Sequence, residues 1–154
     1  MKQSPQMQKL EEILRQSKLS AHGFLGSDKR NLSEIIDTDI AQVARFNVTP
    51  SQIAEKMQQI TDTAIKGLGT WVEIDDKRLA KVDEAKGSIV CPWPHPAKFA
   101  KRVTTMKIIE TGDSQSWSDL NIHLIARHSF FEGKGSDFRI EPEKLIALLF
   151  ESQV

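Results

Sequence analysis

The sequence predicts an α+β fold, in which N-terminal helices are followed by a small antiparallel sheet, a short helix and a C-terminal helix. Two observations support this class. Apolar residues recur at helical spacing up to residue 66, and after Gly69 the pattern changes to short β-branched and apolar runs separated by turn residues. The 154-residue length favours one domain, 1–154, whose helical front (5–66) and strand-rich back (70–154) share one core.

Three amphipathic helices are expected in the front half. The first covers 5–18 and the second covers 32–46, each with an apolar stripe between charged residues. The third has the clearest start, because Thr49 can cap it, Pro50 suits its first position and Gln52 completes a capping box. Its apolar face repeats until Gly67 and Gly69 end the helix.

The back half predicts several short strands and two helices. Strands are expected at 71–74, 78–82, 88–91, 102–110 and 115–117, then a helix at 118–128, a last strand at 138–140 and a helix at 142–151. Prolines at positions 92, 94 and 96 must stop the third of these strands, since proline supplies no ladder donor. The predicted core contains Trp71, Ile108, Leu120, Leu124, Phe130, Phe138, Leu145 and Leu149.

The amino-acid composition excludes some classes of function but does not identify one. The formal net charge is zero, which argues against a general affinity for nucleic acid or for an anionic membrane without excluding a local patch. One cysteine excludes an internal disulfide and fits a reducing, cytoplasmic location. The sequence has no signal-peptide pattern and no membrane-spanning run. The sequence indicates no particular binding partner, and it is compatible with a homo-oligomer.

The strongest candidate site is a set of four potential metal ligands: Cys91, His95, His123 and His128. It takes the only cysteine and three of the four histidines, in the order C-x3-H, a 27-residue spacer and H-x4-H. Structural zinc sites use four nitrogen and sulfur ligands, often as two short-spaced pairs. The pattern therefore predicts a zinc site, although the spacer exceeds that of a C2H2 finger.

Helix geometry opposes this hypothesis in part. Residues five apart on a regular helix point ~140° apart, so His123 and His128 should converge only if the last helical turn unwinds. Leu120, Leu124 and His128 form a better stripe, which would bury His128 and leave His123 to one side. The alternative is that Cys91 is a small buried apolar residue and that the histidines make local hydrogen bonds.

Residues 39–57 resemble the helix-turn-helix of bacterial regulators. Val48 and Ile53 occupy its inner apolar positions, Asn47 suits its left-handed turn position, and Val43 departs from the small residue expected there. The resemblance implies that the major-groove contacts would come from Ser51, Gln52, Glu55 and Lys56. The preceding helix is acidic, however, whereas DNA binding needs clustered Lys and Arg.

A second alternative is a cysteine-dependent enzyme. Cys91 and a nearby histidine would form a nucleophile–base pair, Asp119 would orient the imidazole, and Lys98, Lys101 and Arg102 would lower the thiol pKa. No local motif supports this reaction. We therefore expect a small intracellular protein with a non-enzymatic structural or binding role, supported by zinc, with DNA-binding regulation as the first alternative.

Overall fold

The computed structural model describes residues 3–16, 23–95 and 97–150. Within these ranges five α-helices accompany a four-stranded antiparallel sheet, with helices at both ends of the chain, so the predicted α+β class is confirmed. The helices are α1 (Pro5–Gln16), α2 (Leu32–Ala44), α3 (Pro50–Ala64), α4 (Asp119–His128) and α5 (Pro142–Phe150). The strands are β1 (Val72–Glu73), β2 (Arg78–Val90), β3 (Lys98–Ile108) and β4 (Ser114–Ser118), and a 3₁₀ turn, Ile65–Gly67, follows α3.

The helix starts follow the local sequence signals. The Thr49 hydroxyl accepts a hydrogen bond from the Gln52 amide, and the Gln52 side chain accepts one from the Thr49 amide, so the predicted capping box of α3 is confirmed. Ser118 and Asn121 form the same reciprocal cap on α4. The second helix ends at Ala44, two residues earlier than predicted, because a turn ending in left-handed Asn47 (φ 58°) follows it.

The sheet has the order β1-β2-β3-β4, and every neighbouring pair is antiparallel. The two strands predicted at 78–82 and 88–91 are parts of one long strand, β2, which pairs with β3 along most of its length. A register shift between Ala85 and Ser88 interrupts that pairing at Gly87, whose φ is 100°. The polar stretch that suggested a break is an exposed, bulged segment of the strand.

Two clusters of buried apolar side chains lie on either side of α4. The first core cluster joins α3, the inner face of the sheet and α5, and it includes Met57, Met106 and Trp117. The second core cluster joins α1, α2 and the loops near Phe24 and Phe130. In α4, Ile122 and Ile125 belong to the first cluster, whereas Leu120 and Leu124 belong to the second. This helix therefore contributes to both clusters.

Most of the predicted core residues are buried, and two are not. Leu120, Leu124, Phe130, Leu145 and Leu149 are buried, and Ile108 is partly buried against the first cluster. The prediction is wrong for Trp71 and Phe138, which are 40% and 38% exposed. Trp71 lies outside β1 and packs its ring under two lysine ammonium groups, those of Lys81 and Lys107.

The strand predicted at 138–140 is also wrong. This segment turns, and the Arg139 guanidinium holds it by donating to the buried Asp39 carboxylate and to the Glu132 carbonyl. A bidentate ion pair to a distant helix thus replaces the expected strand pairing. The longest helix in the described part of the chain has 15 residues, and none has the length and apolar character needed to cross a membrane.

Candidate metal centre

The four predicted ligands come from one turn and one helix. Cys91 follows the last residue of β2, and His95 lies in the proline-containing turn that leads to β3. The Cys91 amide donates to the Ala97 carbonyl (3.1 Å), and the His95 amide donates to the Trp93 carbonyl (2.7 Å). These bonds fold the turn back on itself, so that the Cys91 and His95 side chains meet α4, which carries His123 and His128.

The ligand atoms of all four residues lie within 4.8 Å of one another. Cys91 Sγ lies 3.6 Å from His128 Nε2, and His95 Nε2 lies 3.1 Å from His128 Nε2 and 3.3 Å from His123 Nε2. Zinc–nitrogen and zinc–sulfur bond lengths imply tetrahedral edges of about 3.3 Å between two nitrogens and about 3.6 Å between nitrogen and sulfur. These three of the six donor–donor distances are therefore compatible with a bound metal ion.

The prediction that His123 and His128 converge only if the last helical turn unwinds is wrong. The helix α4 is regular through His128, and the Ser129 amide still bonds to the Ile125 carbonyl at 3.2 Å. His123 and His128 nevertheless both reach His95, because the two Nε2 atoms lie at the far ends of long side chains and His95 contacts both. Directions taken from Cα alone underestimated the reach of an imidazole. Both histidines are half-buried, so His128 is not the buried core residue that the apolar stripe suggested.

Two aromatic residues that the sequence reasoning missed complete the site. The Trp93 ring stacks on the His128 imidazole, with centroids 4.1 Å apart and planes 10° apart, and Phe99 packs on His123 at 4.6 Å. Such contacts restrict the imidazole orientations and keep water from one side of each ring. The available signal was the position of Trp93, which lies between two prolines and between two candidate ligands.

Burial controls the ionisation of the site. It lowers the pKa of His128 to about 4, an effect to which the neighbouring histidines and Arg127 add, and it also lowers the pKa of His123. Neutral imidazole is the form that binds a metal, so these two rings are ready to act as ligands near neutral pH. Burial also raises the pKa of the Cys91 thiol, which a bound cation would have to deprotonate.

Cys91 has neither the exposure nor the lowered thiol pKa of a catalytic cysteine. Cys91 is only 3% exposed, and its raised pKa is opposite to that of an activated nucleophile. Asp119 was expected to orient a histidine, but its Oδ2 accepts a hydrogen bond from Arg102 Nε at 2.8 Å. This ion pair also commits one of the three cations that were expected to lower the thiol pKa.

The residues of the helix-turn-helix hypothesis lie on the first turns of α3. Ser51, Gln52 and Glu55 are exposed and Lys56 is half-buried. Asn47 has the expected left-handed backbone, and Ile53 and Val48 face the first core cluster as expected. The Gln52 side chain already accepts a hydrogen bond from the Thr49 amide in the helix cap. A role of these residues in DNA binding stays a prediction.

Comparison with models of protein families, with curated proteins and with solved structures gave no match. The chemistry of the site must therefore be argued from its own geometry.

Proposed function

We propose that this protein binds zinc through Cys91, His95, His123 and His128 and that the ion has a structural role. The observation that carries the proposal is the agreement of three inter-ligand distances, 3.6, 3.1 and 3.3 Å, with the edges of a tetrahedral zinc site.

The donor set favours zinc over the other common divalent ions. One thiolate and three imidazoles are borderline-soft donors, which suit zinc and poorly suit magnesium or calcium, since those ions prefer oxygen. Zinc also has no redox chemistry and accepts a tetrahedral arrangement without cost from its d electrons. Copper competes for such ligands in solution, so metal availability also determines the occupant.

The number of ligands supports a structural role. Catalytic zinc sites keep three protein ligands and an open position, whereas closed sites use four. Here all four donors come from the protein and lie within 4.8 Å of one another. An ion at this position would join the turn between β2 and β3 to α4, at the edge of the second core cluster that contains Cys91 and Leu124.

The proposal is tested by metal content and by cobalt substitution. Protein purified without added metal should contain about one equivalent of zinc, and the cobalt form should give the visible bands of a tetrahedral site with a thiolate charge-transfer band. Cys91→Ser should remove the charge-transfer band and most of the zinc. Val90→Ser, at the preceding exposed position, is the matched control and should retain both signals.

Two results would contradict the proposal. One is a well-folded wild-type protein that binds less than about half an equivalent of zinc even after reconstitution. The other is a Cys91→Ser variant whose cobalt spectrum equals that of the wild type.

A further inference from the structure

A cavity of about 350 Å³ lies where β2, β3, the start of α4 and two loops meet. Its walls are mostly apolar and include Phe24, Ile89, Val103, Leu120 and Phe138. The four proposed zinc ligands are not among its lining residues. The volume lies at the lower end of the range found for small-molecule sites, so it suits a ligand with one ring and a short side chain.

Glu132 is the unusual lining residue of this cavity. Its side chain is almost wholly buried, at 2% exposure. Oε1 accepts a hydrogen bond from the Ser136 hydroxyl at 2.9 Å, and Oε2 accepts one from the Asn121 amide at 3.0 Å. These two hydrogen bonds fix the orientation of the carboxyl group of a residue that lines the cavity.

The backbone around Glu132 is held in a costly conformation. Its φ of 68° is left-handed, which disfavours a residue with a Cβ by about 1–2 kcal/mol. The next residue, Gly133, packs so closely on the Leu25 backbone that an added Cβ would overlap it. Strain of this kind persists where the surrounding structure enforces it, often at binding sites.

The Glu132 carboxyl has no ion-pair partner within the described ranges. The Arg139 guanidinium donates a hydrogen bond to the backbone carbonyl of Glu132 and not to its carboxyl group. Its ion pairs are with Asp39 and Glu141. Arg102, another lining residue, pairs with Asp119. Burial raises the pKa of Glu132 to about 7. The hydrogen bonds from Ser136 and Asn121 oppose this rise, as does Arg139, and nearby Asp137 adds to it. An anion at this position lacks the counter-charge that buried carboxylates normally have.

We propose that this cavity binds a small organic ammonium compound, whose cationic group pairs with Glu132 and whose apolar body packs against Phe24, Leu120 and Phe138. The ammonium group would supply the missing counter-charge. Among the lining residues the acidic side chains of Asp83, Glu84 and Glu132 outnumber the basic ones of Lys101 and Arg102, which favours a cationic ligand. The proposal does not depend on the zinc site.

The test compares three probes of one shape on the protein as purified by calorimetry: 2-phenylethylamine, 2-phenylethanol and phenylacetate. We expect the amine to bind at least about tenfold more tightly than the alcohol, since a hydrogen bond to a charged group contributes about 1.5–3 kcal/mol. Phenylacetate should not bind. Near pH 7 the amine should also release protons, because pairing lowers the pKa of Glu132, and titration in two buffers of different ionisation enthalpy detects this release.

Two variants and a control complete the experiment. Glu132→Gln should lower amine affinity at least about tenfold and abolish proton release. Glu143→Gln, at an exposed position on α5, is the matched control and should leave both unchanged. Ala100→Trp fills the cavity without altering Glu132 and should block the amine even if Glu132→Gln does not fold. Absent amine binding, equal affinity for amine and alcohol, unchanged affinity in folded Glu132→Gln, or unchanged affinity in Ala100→Trp would each overturn the proposal.

Discussion

Removing zinc with a chelator should lower the melting temperature of the protein while leaving it folded at room temperature. Both core clusters consist of buried apolar side chains from several helices and strands, and this packing does not require a metal. The proposed ligands instead tie one turn to α4. Metal loss should therefore destabilise the fold by the binding free energy that zinc supplies, in contrast to a zinc finger, which unfolds without its ion.

The expected shift follows from linkage. A ligand that binds only the folded state at about 1,000 times its dissociation constant stabilises that state by about 4 kcal/mol. For a chain of about 150 residues, 1 kcal/mol changes the melting temperature by about 2–4 °C, so chelation should lower it by about 8–16 °C. The distances between donors already resemble those of a bound site, which limits the reorganisation that would weaken binding.

Differential scanning calorimetry with and without chelator measures this shift, and two variants separate the metal from general packing. Cys91→Ser should melt near the chelated wild type and respond little to chelator. Val82→Ala, which removes methyl groups from the buried face of β2, should melt lower but keep the full chelator response. A zinc-loaded wild type that loses less than about 2 °C on chelation would refute the reasoning, as would a Cys91→Ser variant with the wild-type response.

Three further predictions concern other parts of the molecule. Because the folded-state pKa of Glu132 is about 7 against an ordinary 4.5, the stability it contributes is complete below pH 4.5 and is lost as pH rises to about 7. The loss is at most about 3 kcal/mol, and urea unfolding of Glu132→Gln should lack this component; an unchanged pH slope would count against it. Arg139→Met strands the buried Asp39 carboxylate and should cost about 3–5 kcal/mol, against less than about 0.5 kcal/mol for Arg45→Met at an exposed position; equal losses would show that the ion pair is unimportant. Duplex DNA should not bind at low salt, and salt-dependent binding that weakens in Lys56→Glu would instead support the helix-turn-helix hypothesis.

The helices and their caps were predictable because their signals are local. A hydroxyl, a proline and an amide within four residues determined the start of α3, and Ser118 with Asn121 does the same for α4. The period of apolar residues then predicted which faces are buried. Only the ends of helices moved, as at Ala44, where the turn to Asn47 ends α2 early.

The strands were less predictable because their pairing is not local. The exposed middle of β2 has the polar composition of a loop, and only its register with β3 makes it a strand. The same reason explains the error at 138–140, where the apolar residues look like a strand but Arg139 pairs with Asp39, 100 residues away. Neither the exposure of Trp71 nor that of Phe138 has a local signal, since large apolar residues are usually buried.

The four proposed metal ligands could be selected from composition and spacing, whereas their convergence could not. The convergence depends on side-chain reach and on the turn that Cys91 and Ala97 close, which are three-dimensional properties. The Glu132 cavity had no sequence signal at all. The Gly-Lys-Gly stretch after Glu132 indicates a helix C-cap and a turn leading to Phe138, and only the folded chain brings Phe24, Val103 and Phe138 around one cavity.

The hydrogen bonding of the histidines gives a further reason to expect a cation among them. His95 Nε2 faces both His128 Nε2 and His123 Nε2 at hydrogen-bond distance. In a neutral imidazole that nitrogen carries either one proton or one lone pair, so it cannot make two good hydrogen bonds at once. Protonation of His128 is disfavoured, because burial, to which His123, His95 and Arg127 add, lowers its pKa to about 4. The proposed divalent cation would accept a lone pair from each ring and would coordinate all three at once. The arrangement is therefore better explained with an ion than as three histidines packed for their own sake.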